Sequence, residues 1–368
     1  MIAFLIFIST LYNVPHVVLL LPVLLVLFKN RKKTILLNKH QVYILSIITI
    51  IVVLSFLNSL IHITQLESYF NLFPYTSLMY ASFILAYFLE EKDVELLVKL
   101  ILIESIIVIF EFLFHFNTIF FGAEDFKKFS SFSILYNSRP YGMSANSSII
   151  AIKIFLAILL IDYFGLFRNN KLIFMVIFFL AIVFTFPRTI LVVILIYYFL
   201  KYISYIKLST KYKQRLVAIT FSLVLVFSVI AVLNAKKISD KIYDQFTRGG
   251  KKIELAGRPI IWTKYFDFIK SHKWFGNYSQ KFEIEAEKGK QHAHNSFIQI
   301  VANHGILIAA FFIILLICNI TNQNYIYILV LVLYSLFQYG IFWGVSLTDV
   351  VLFLFLQGKP KLNCSMDL

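Results

Sequence analysis

Residues 292–318 read HAHNSFIQIVANHGILIAAFFIILLIC. Two histidines and an asparagine run directly into an apolar stretch of about twenty residues, the length an α-helix needs to cross the hydrocarbon core of a bilayer. Stretches of the same kind recur along the chain. Sixty per cent of the residues are apolar, 14 % are charged, and Phe and Tyr number 40 and 21. With a mean hydropathy of +0.82, that composition excludes a soluble globular protein. The apolar runs are continuous, whereas a β-barrel would show short alternating segments. The expected fold class is all-α, a polytopic transmembrane helical bundle.

Working outward from 292–318, the expected spans are 2–28, 42–60, 73–89, 97–116, 147–164, 172–186, 189–203, 216–233, 297–317, 325–341 and 347–357. Pro15 and Pro22 can split the first, which gives eleven or twelve. All 368 residues are read as a single integral membrane domain without internal repeats. The first positive charge, Lys29, follows the apolar stretch 2–28, and no small-residue cleavage site comes after it. This predicts a first span and not a removed signal peptide. Cys318 and Cys364 both fall on the expected cytoplasmic side, where no structural disulfide is expected.

Orientation follows from short loops rich in Lys and Arg. Lys29, Arg31, Lys32, Lys33 and Lys39 mark one side, and Lys201, Lys207, Lys211, Lys213 and Arg215 mark the same side if the spans alternate. Residues 61–72 face the other way and carry neither Lys nor Arg. Loops 117–146 and 234–296 are therefore expected outside the cytoplasm. The larger loop holds thirteen Lys and Arg against seven acids, but long loops translocate regardless of charge. The net charge of +15 fits anionic lipid at the cytoplasmic surface and gives no reason to invoke nucleic acid.

An irregular segment as long as 234–296 is normally functional or disordered. Helical periodicity within it argues that it is folded and that it forms the working face of a membrane enzyme. Three arginines stand beside prolines on this expected outer face: Arg139-Pro140, Pro187-Arg188 and Arg258-Pro259. Arg188 has almost no loop between its flanking apolar runs, and a guanidinium at the hydrocarbon rim is costly unless paired. Snorkelling to lipid headgroups is the plainer reading. Pro259 suits a first helical turn and puts Arg258 at a helix N-terminus, and Ile261, Trp262, Tyr265, Phe266 and Ile269 share one face beyond it. Free N–H groups with a guanidinium suit a phosphate; an interfacial amphipathic helix with a solvated Arg is the alternative.

His292, His294 and His304 invite a metal reading, but His-x-His is a weak signal without a His-Glu-x-x-His or a Cys pair. A histidine general base fits better, and for any one of the three a capping or surface role stays open. His292 follows the Gly- and Lys-rich stretch 288–290, expected to be flexible. Glu283, Glu285 and Glu287 read as a solvated face. Glu104 and Glu111 share a face of one span and Lys153 lies in the next. A buried bridge from Lys153 to one of them is expected, with a proton relay as the functional alternative.

Taken in order, these stretches resemble the O-antigen ligase/polymerase superfamily. Arg139-Pro140-Tyr141-Gly142 followed by Asn146 is similar to the family's Arg-x-x-Gly before a helix, and Phe186-Pro187-Arg188-Thr189 to its outer Arg between two helices. Gly257-Arg258-Pro259-Ile260-Ile261-Trp262 with Trp274-Phe275-Gly276-Asn277 resembles the loop signature. His294-Asn295-Ser296-Phe297-Ile298-Gln299 with His304-Gly305 is the closest match. The likeness covers roughly 139–315, and most resembles a Wzy-type O-antigen or capsular polysaccharide polymerase. It implies glycosyl transfer from an undecaprenyl-diphosphate-linked glycan at the outer face of the bacterial plasma membrane, without cofactor, nucleotide sugar or metal. By that resemblance His294, Arg188 and Arg258 are catalytic, and Arg139, Trp262, Asn295 and His292 bind substrate. Membrane lipid and a chain-length-regulating co-polymerase are the implied partners. A ligase that moves the finished glycan to another acceptor would use the same residues. A transporter of lipid-linked oligosaccharide or a secondary transporter, coupled through Glu104, Glu111 and Lys153, is the alternative from another class.

Overall fold

The structure, a computed structural model, describes residues 2–11, 14, 16–31, 36–65, 74–114, 140–144, 146–185, 187–205, 258–286 and 289–358. In chain order its helices are α1 (Ile2–Ile8), α2 (Leu20–Lys29), α3 (Lys39–Ile61), α4 (Met79–Phe88), α5 (Glu91–Phe114), α6 (Ser147–Phe164), α7 (Lys171–Thr185), α8 (Arg188–Tyr205) and α9 (Arg258–Ser271). A two-stranded hairpin, β1 (Ile284–Ala286) and β2 (Gly289–Gln291), precedes α10 (Ser296–Ile317), α11 (Tyr325–Ser335) and α12 (Leu347–Leu356). The protein is all-α apart from that hairpin among the described residues. Helices α3, α6 and α10 are each long and apolar enough to cross a membrane, and shorter apolar helices accompany them. The segment 2–28 is divided as its prolines suggested, with Pro22 in the first turn of α2, where its missing N–H costs nothing. The expected span 216–233 and most of the expected outer loop 117–146 lie outside the described residues.

The chain forms two compact units: Met1–Val42, Leu78–Tyr197 and Gly344–Leu368 in the first, Tyr43–Ser77 and Tyr198–Trp343 in the second. The first unit is built around α6. This helix is apolar on every side and buried almost throughout, the mark of a central helix. Asn146 starts it by accepting hydrogen bonds from the N–H groups of Ser148 and Ile149, both at 3.0 Å. Gly165 ends it at φ +69°, a left-handed cap that favours glycine. On α7 and α8, Leu172, Ile173, Leu195 and Phe199 are exposed, as side chains turned to lipid would be.

Lys153 of α6 reaches Glu104 of α5 at 2.5 Å, so the expected bridge goes to Glu104. Ser144 closes a triangle, accepting from Lys153 Nζ at 2.9 Å and donating to Glu104 Oε1 at 2.8 Å. Glu111 has a different use. Its Oε2 accepts the backbone N–H groups of Tyr141 and Gly142 at 3.1 and 2.8 Å. Both carboxylates thus fasten the turn that leads into α6.

In the second unit, α9 lays Ile261 and Tyr265 against Ile284, Ala293, Ile298 and Ala302, with Trp262, Phe266 and Ile269 half-buried beside them. The face read from spacing is the face that packs. The hairpin was not expected. Glu285 lies opposite Lys290 in its register, an opposite-charge cross-strand pair. The stretch before His292 is therefore paired strand at 289–291, a correction to the flexible segment expected there. The expected span 325–341 is also corrected: α11 ends at Ser335, and residues 336–343 continue without helix.

Helix α10 is broken. Gly305 sits at φ 82°, ψ 172° inside it, a region that only glycine enters readily. The break frees the carbonyls of Ala302 and Asn303, which accept N–H groups from Asn277 at 2.7 Å and Ser279 at 2.9 Å. Ile306 N–H in turn donates to Lys273 at 2.8 Å. A Cβ on Gly305 would overlap the Trp274 carbonyl, and one on Gly276 would come within 2.6 Å of Gly305 N. The two glycines let the loop 273–279 seat in the break. Irregular backbone at membrane depth is tolerated where protein satisfies its polar groups. The loop is held from α3 as well: Asn58 Nδ2 donates to Phe275 O at 2.8 Å and Ser59 Oγ to Tyr278 O at 2.9 Å.

Candidate active site

Gln299, one turn into α10, organises the site. Its Oε1 accepts from Ala293 N–H at 2.8 Å and Tyr265 OH at 3.0 Å. Its Nε2 donates to Phe282 O at 2.6 Å and Asn303 Oδ1 at 2.9 Å. All four bonds that a primary amide side chain can make are formed. Trp262 Nε1 donates to Ala293 O at 2.6 Å, so both polar backbone groups of Ala293 are held, between the two histidines. Asn295 caps α10 through Phe297 N–H at 2.9 Å and Ile298 N–H at 3.0 Å. Its own Nδ2 donates to Leu336 O at 2.8 Å.

His294 sits between these fixtures at φ 51°, a left-handed conformation uncommon for a residue with a side chain and found often at functional sites. Its Nδ1 is buried without a hydrogen-bond partner. Burial is the main influence that holds the ring's pKa below the usual histidine value; Arg258 adds to it, and the nearby Gln338 opposes it. At neutral pH the ring is an uncharged base. Arg258 is the first residue of α9, and its Nε is likewise buried without a partner. Burial also lowers its pKa, although the neighbouring Tyr334 works against this. No carboxylate pairs with Arg258 among the described residues. An unpaired buried guanidinium nitrogen is expensive, and an anionic ligand would repay it.

His292 lies beside His294, ring centroids 4.3 Å apart, with Tyr339 and Trp343 on its other sides at 5.7 and 6.1 Å. Burial, then His294 and Lys281, push its pKa down to about 4. His304 is elsewhere: its Nε2 shares a hydrogen bond of 2.8 Å with Tyr75 OH, which also accepts from Asn303 Nδ2 at 2.6 Å. Among the described residues no group of three His, Cys, Asp or Glu could hold a metal ion.

Of the residues singled out from sequence, Arg258, Trp262, His292, His294 and Asn295 come together in the second unit. The Trp262 N–H and the Asn295 amide are committed to backbone groups. Arg188 begins α8, directly after Pro187. Arg139 lies outside the described residues. Gln299, Tyr265, Tyr334 and Gln338 carried no assigned role in the sequence. Gln299 had a signal, as a strongly polar residue in an apolar run; Tyr334 and Gln338, some forty residues from His294, had none.

Residues 172–313 match the family described as O-antigen ligase. That stretch is similar to the O-antigen ligase/polymerase superfamily. No curated protein matches the chain. The matched stretch ends just after the break in α10, so Tyr334, Gln338, Tyr339 and Trp343 add to the site from beyond it.

Proposed function

We propose that this protein polymerises undecaprenyl-diphosphate-linked oligosaccharide repeat units into O-antigen or capsular polysaccharide, at the outer face of the bacterial plasma membrane. The observation that carries the reading is that His294 and Arg258, which feel each other's field, each hold a buried nitrogen without a hydrogen-bond partner, Nδ1 of a neutral base and Nε of a cation. The acceptor sugar hydroxyl attacks the anomeric carbon of the donor and loses its proton to His294. The bond from that carbon to phosphate breaks, and its electron pair leaves with the lipid diphosphate. Arg258 stabilises the charge that grows on the leaving group, an interaction stronger in the transition state than in the ground state. Arg188 is proposed as a diphosphate ligand and Arg139 as a substrate ligand on their sequence positions alone. His292, with its depressed pKa, is the weaker base and contacts sugar. The reaction needs neither a metal nor a nucleotide sugar.

Purified protein given lipid-linked repeat units should produce a ladder of longer lipid-linked glycans. His294→Ala should slow extension about 10²–10⁴-fold at normal membrane insertion. Arg258→Lys should lose most product, because Lys lacks the planar fork that binds phosphate oxygens in pairs. A wild-type product found only on a different acceptor would make the protein a ligase. Undiminished extension by His294→Ala would refute the assignment of the base.

A further inference from the structure

The non-helical stretch after α11 brings two aromatic rings to His292. The His292 ring lies 4.3 Å from that of His294, 5.7 Å from Tyr339 and 6.1 Å from Trp343, the last edge to face. Tyr339 is buried and stacks on Trp343 at 4.3 Å, the two planes 24° apart. Trp343 Nε1 donates to Tyr339 O at 2.7 Å. The indole is thus locked in orientation and its one hydrogen is committed, so what it presents to a ligand is a π face. Trp343 is only half-buried. Over its ring, 5.4 Å from the centroid, lies the ammonium of Lys281. Lys281 pairs with Glu283 at 2.6 Å, and its side chain is 45 % exposed. Exposed cation–π contacts and exposed ion pairs are both weak, so a ligand can displace this cover.

We propose that Trp343 is the platform for a pyranose ring of the acceptor glycan, with Lys281 and Glu283 as ligands of that sugar's hydroxyls. This rests on the polymerase reading above and adds to it the subsite that receives the acceptor. An aromatic ring is negative over its faces, so a face that draws an ammonium also draws other groups of positive outward charge. The C–H bonds on one side of a pyranose are such groups, and they are apolar surface that gains by leaving water. The hydroxyls at the sugar's rim both donate and accept. Lys281 offers only donors and Glu283 only acceptors, so the pair meets both demands. A few polar groups converging on aromatic surface is the usual make-up of a small-molecule site. Position selects the acceptor over the donor. The donor's diphosphate belongs with Arg258, whereas a sugar on Trp343 lies along the row of rings that His292 continues to His294, the base for the acceptor hydroxyl. A Trp that served as a membrane-interface anchor would turn its N–H to the wet side; here the N–H is bonded within the protein.

The test uses the full-length protein and, as competitor of chain extension, the free repeat-unit oligosaccharide cleaved from its lipid by mild acid. Its half-inhibiting concentration should rise about tenfold in Trp343→Leu, and the loss in extension should fall on KM rather than kcat. Trp343→Phe keeps a π face and should recover most of that loss. Lys281→Met, a change at an exposed side chain, should raise the half-inhibiting concentration about threefold or more. Saturation-transfer NMR reads the same contact without turnover: the signal on the sugar's ring C–H protons should persist in His294→Ala and vanish in Trp343→Leu. An unchanged KM and half-inhibiting concentration in Trp343→Leu overturn the platform and leave the base in place. Where Trp343→Leu fails to elute as a folded protein, an unchanged half-inhibiting concentration in Lys281→Met overturns the subsite instead. An active His294→Ala refutes the polymerase chemistry, a separate failure, because the NMR contact is read without any reaction.

Discussion

Gly305→Ala isolates the device that shapes the site. The substitution acts in two ways. At φ 82°, ψ 172° a residue with a Cβ costs about 1–3 kcal/mol in backbone strain. The Cβ would also overlap the carbonyl of Trp274, and neither side of that contact is a flexible chain end. The loop 273–279 must then back out of the break. That exposes three hydrogen bonds to loss: Asn277 to Ala302, Ser279 to Asn303 and Ile306 to Lys273. At about 1 kcal/mol each, the total cost is roughly 4–6 kcal/mol, a large part of the stability of an ordinary folded unit. The assay is thermal unfolding in detergent, followed by loss of the monodisperse elution peak, with Gly165→Ala as comparison. Gly165 has a similar positive φ, +69°, but open space where its Cβ would go, so its cost is the backbone term alone, about 1 kcal/mol. Gly305→Ala should lower the midpoint by on the order of 10 °C and abolish extension, whereas Gly165→Ala should lower it by a few degrees and remain active. Equal midpoints for the two variants would refute the claim that the loop seats in the break because both glycines lack a side chain.

Removal of one member of the Lys153–Glu104 pair leaves a buried charge, so Lys153→Met should cost about 3–5 kcal/mol, and the double variant with Glu104→Leu should recover most of it in the same melt. Gln299→Leu removes four hydrogen bonds and leaves the Ala293 N–H without its acceptor; it should destabilise by about 3 kcal/mol or more, with activity lost together with the ordered His294 segment in hydrogen exchange. His292 is pushed down to about 4 in the folded protein and titrates near 6.5 when unfolded. The unfolded state binds the extra proton between those values, so its contribution is complete above pH 6.5 and is lost as pH falls toward 4. His292→Gln should flatten that part of the midpoint-against-pH curve, and an unchanged slope would remove His292 as its source. Extension in excess chelator should equal that in its absence; activity lost to chelator and restored by zinc would promote His292 and His294 to ligands.

The sequence alone determined the fold class, because bilayer thickness translates directly into runs of apolar residues and most helices fall where such runs lie. It also determined α9 and its buried face, since Ile261, Trp262, Tyr265 and Ile269 recur at helical spacing, and it pointed to a bridge from Lys153 because a buried charge seeks a partner. Three features were settled only by tertiary structure. The break in α10 follows from Gly276 and Gly305 meeting face to face, and a lone glycine in an apolar run carries no mark of what approaches it. The hairpin before His292 depends on pairing against β1 and packing against α9, which weak local strand propensity does not announce. The setting of His294 is the most dependent on the fold: Ala293 is held by Gln299 and Trp262, Arg258 comes from a helix start thirty-six residues earlier, and Gln338 comes from a turn that hydropathy had assigned to a span. Periodicity reports what one element buries, whereas a catalytic environment consists of contacts between elements, and only the folded chain brings those together.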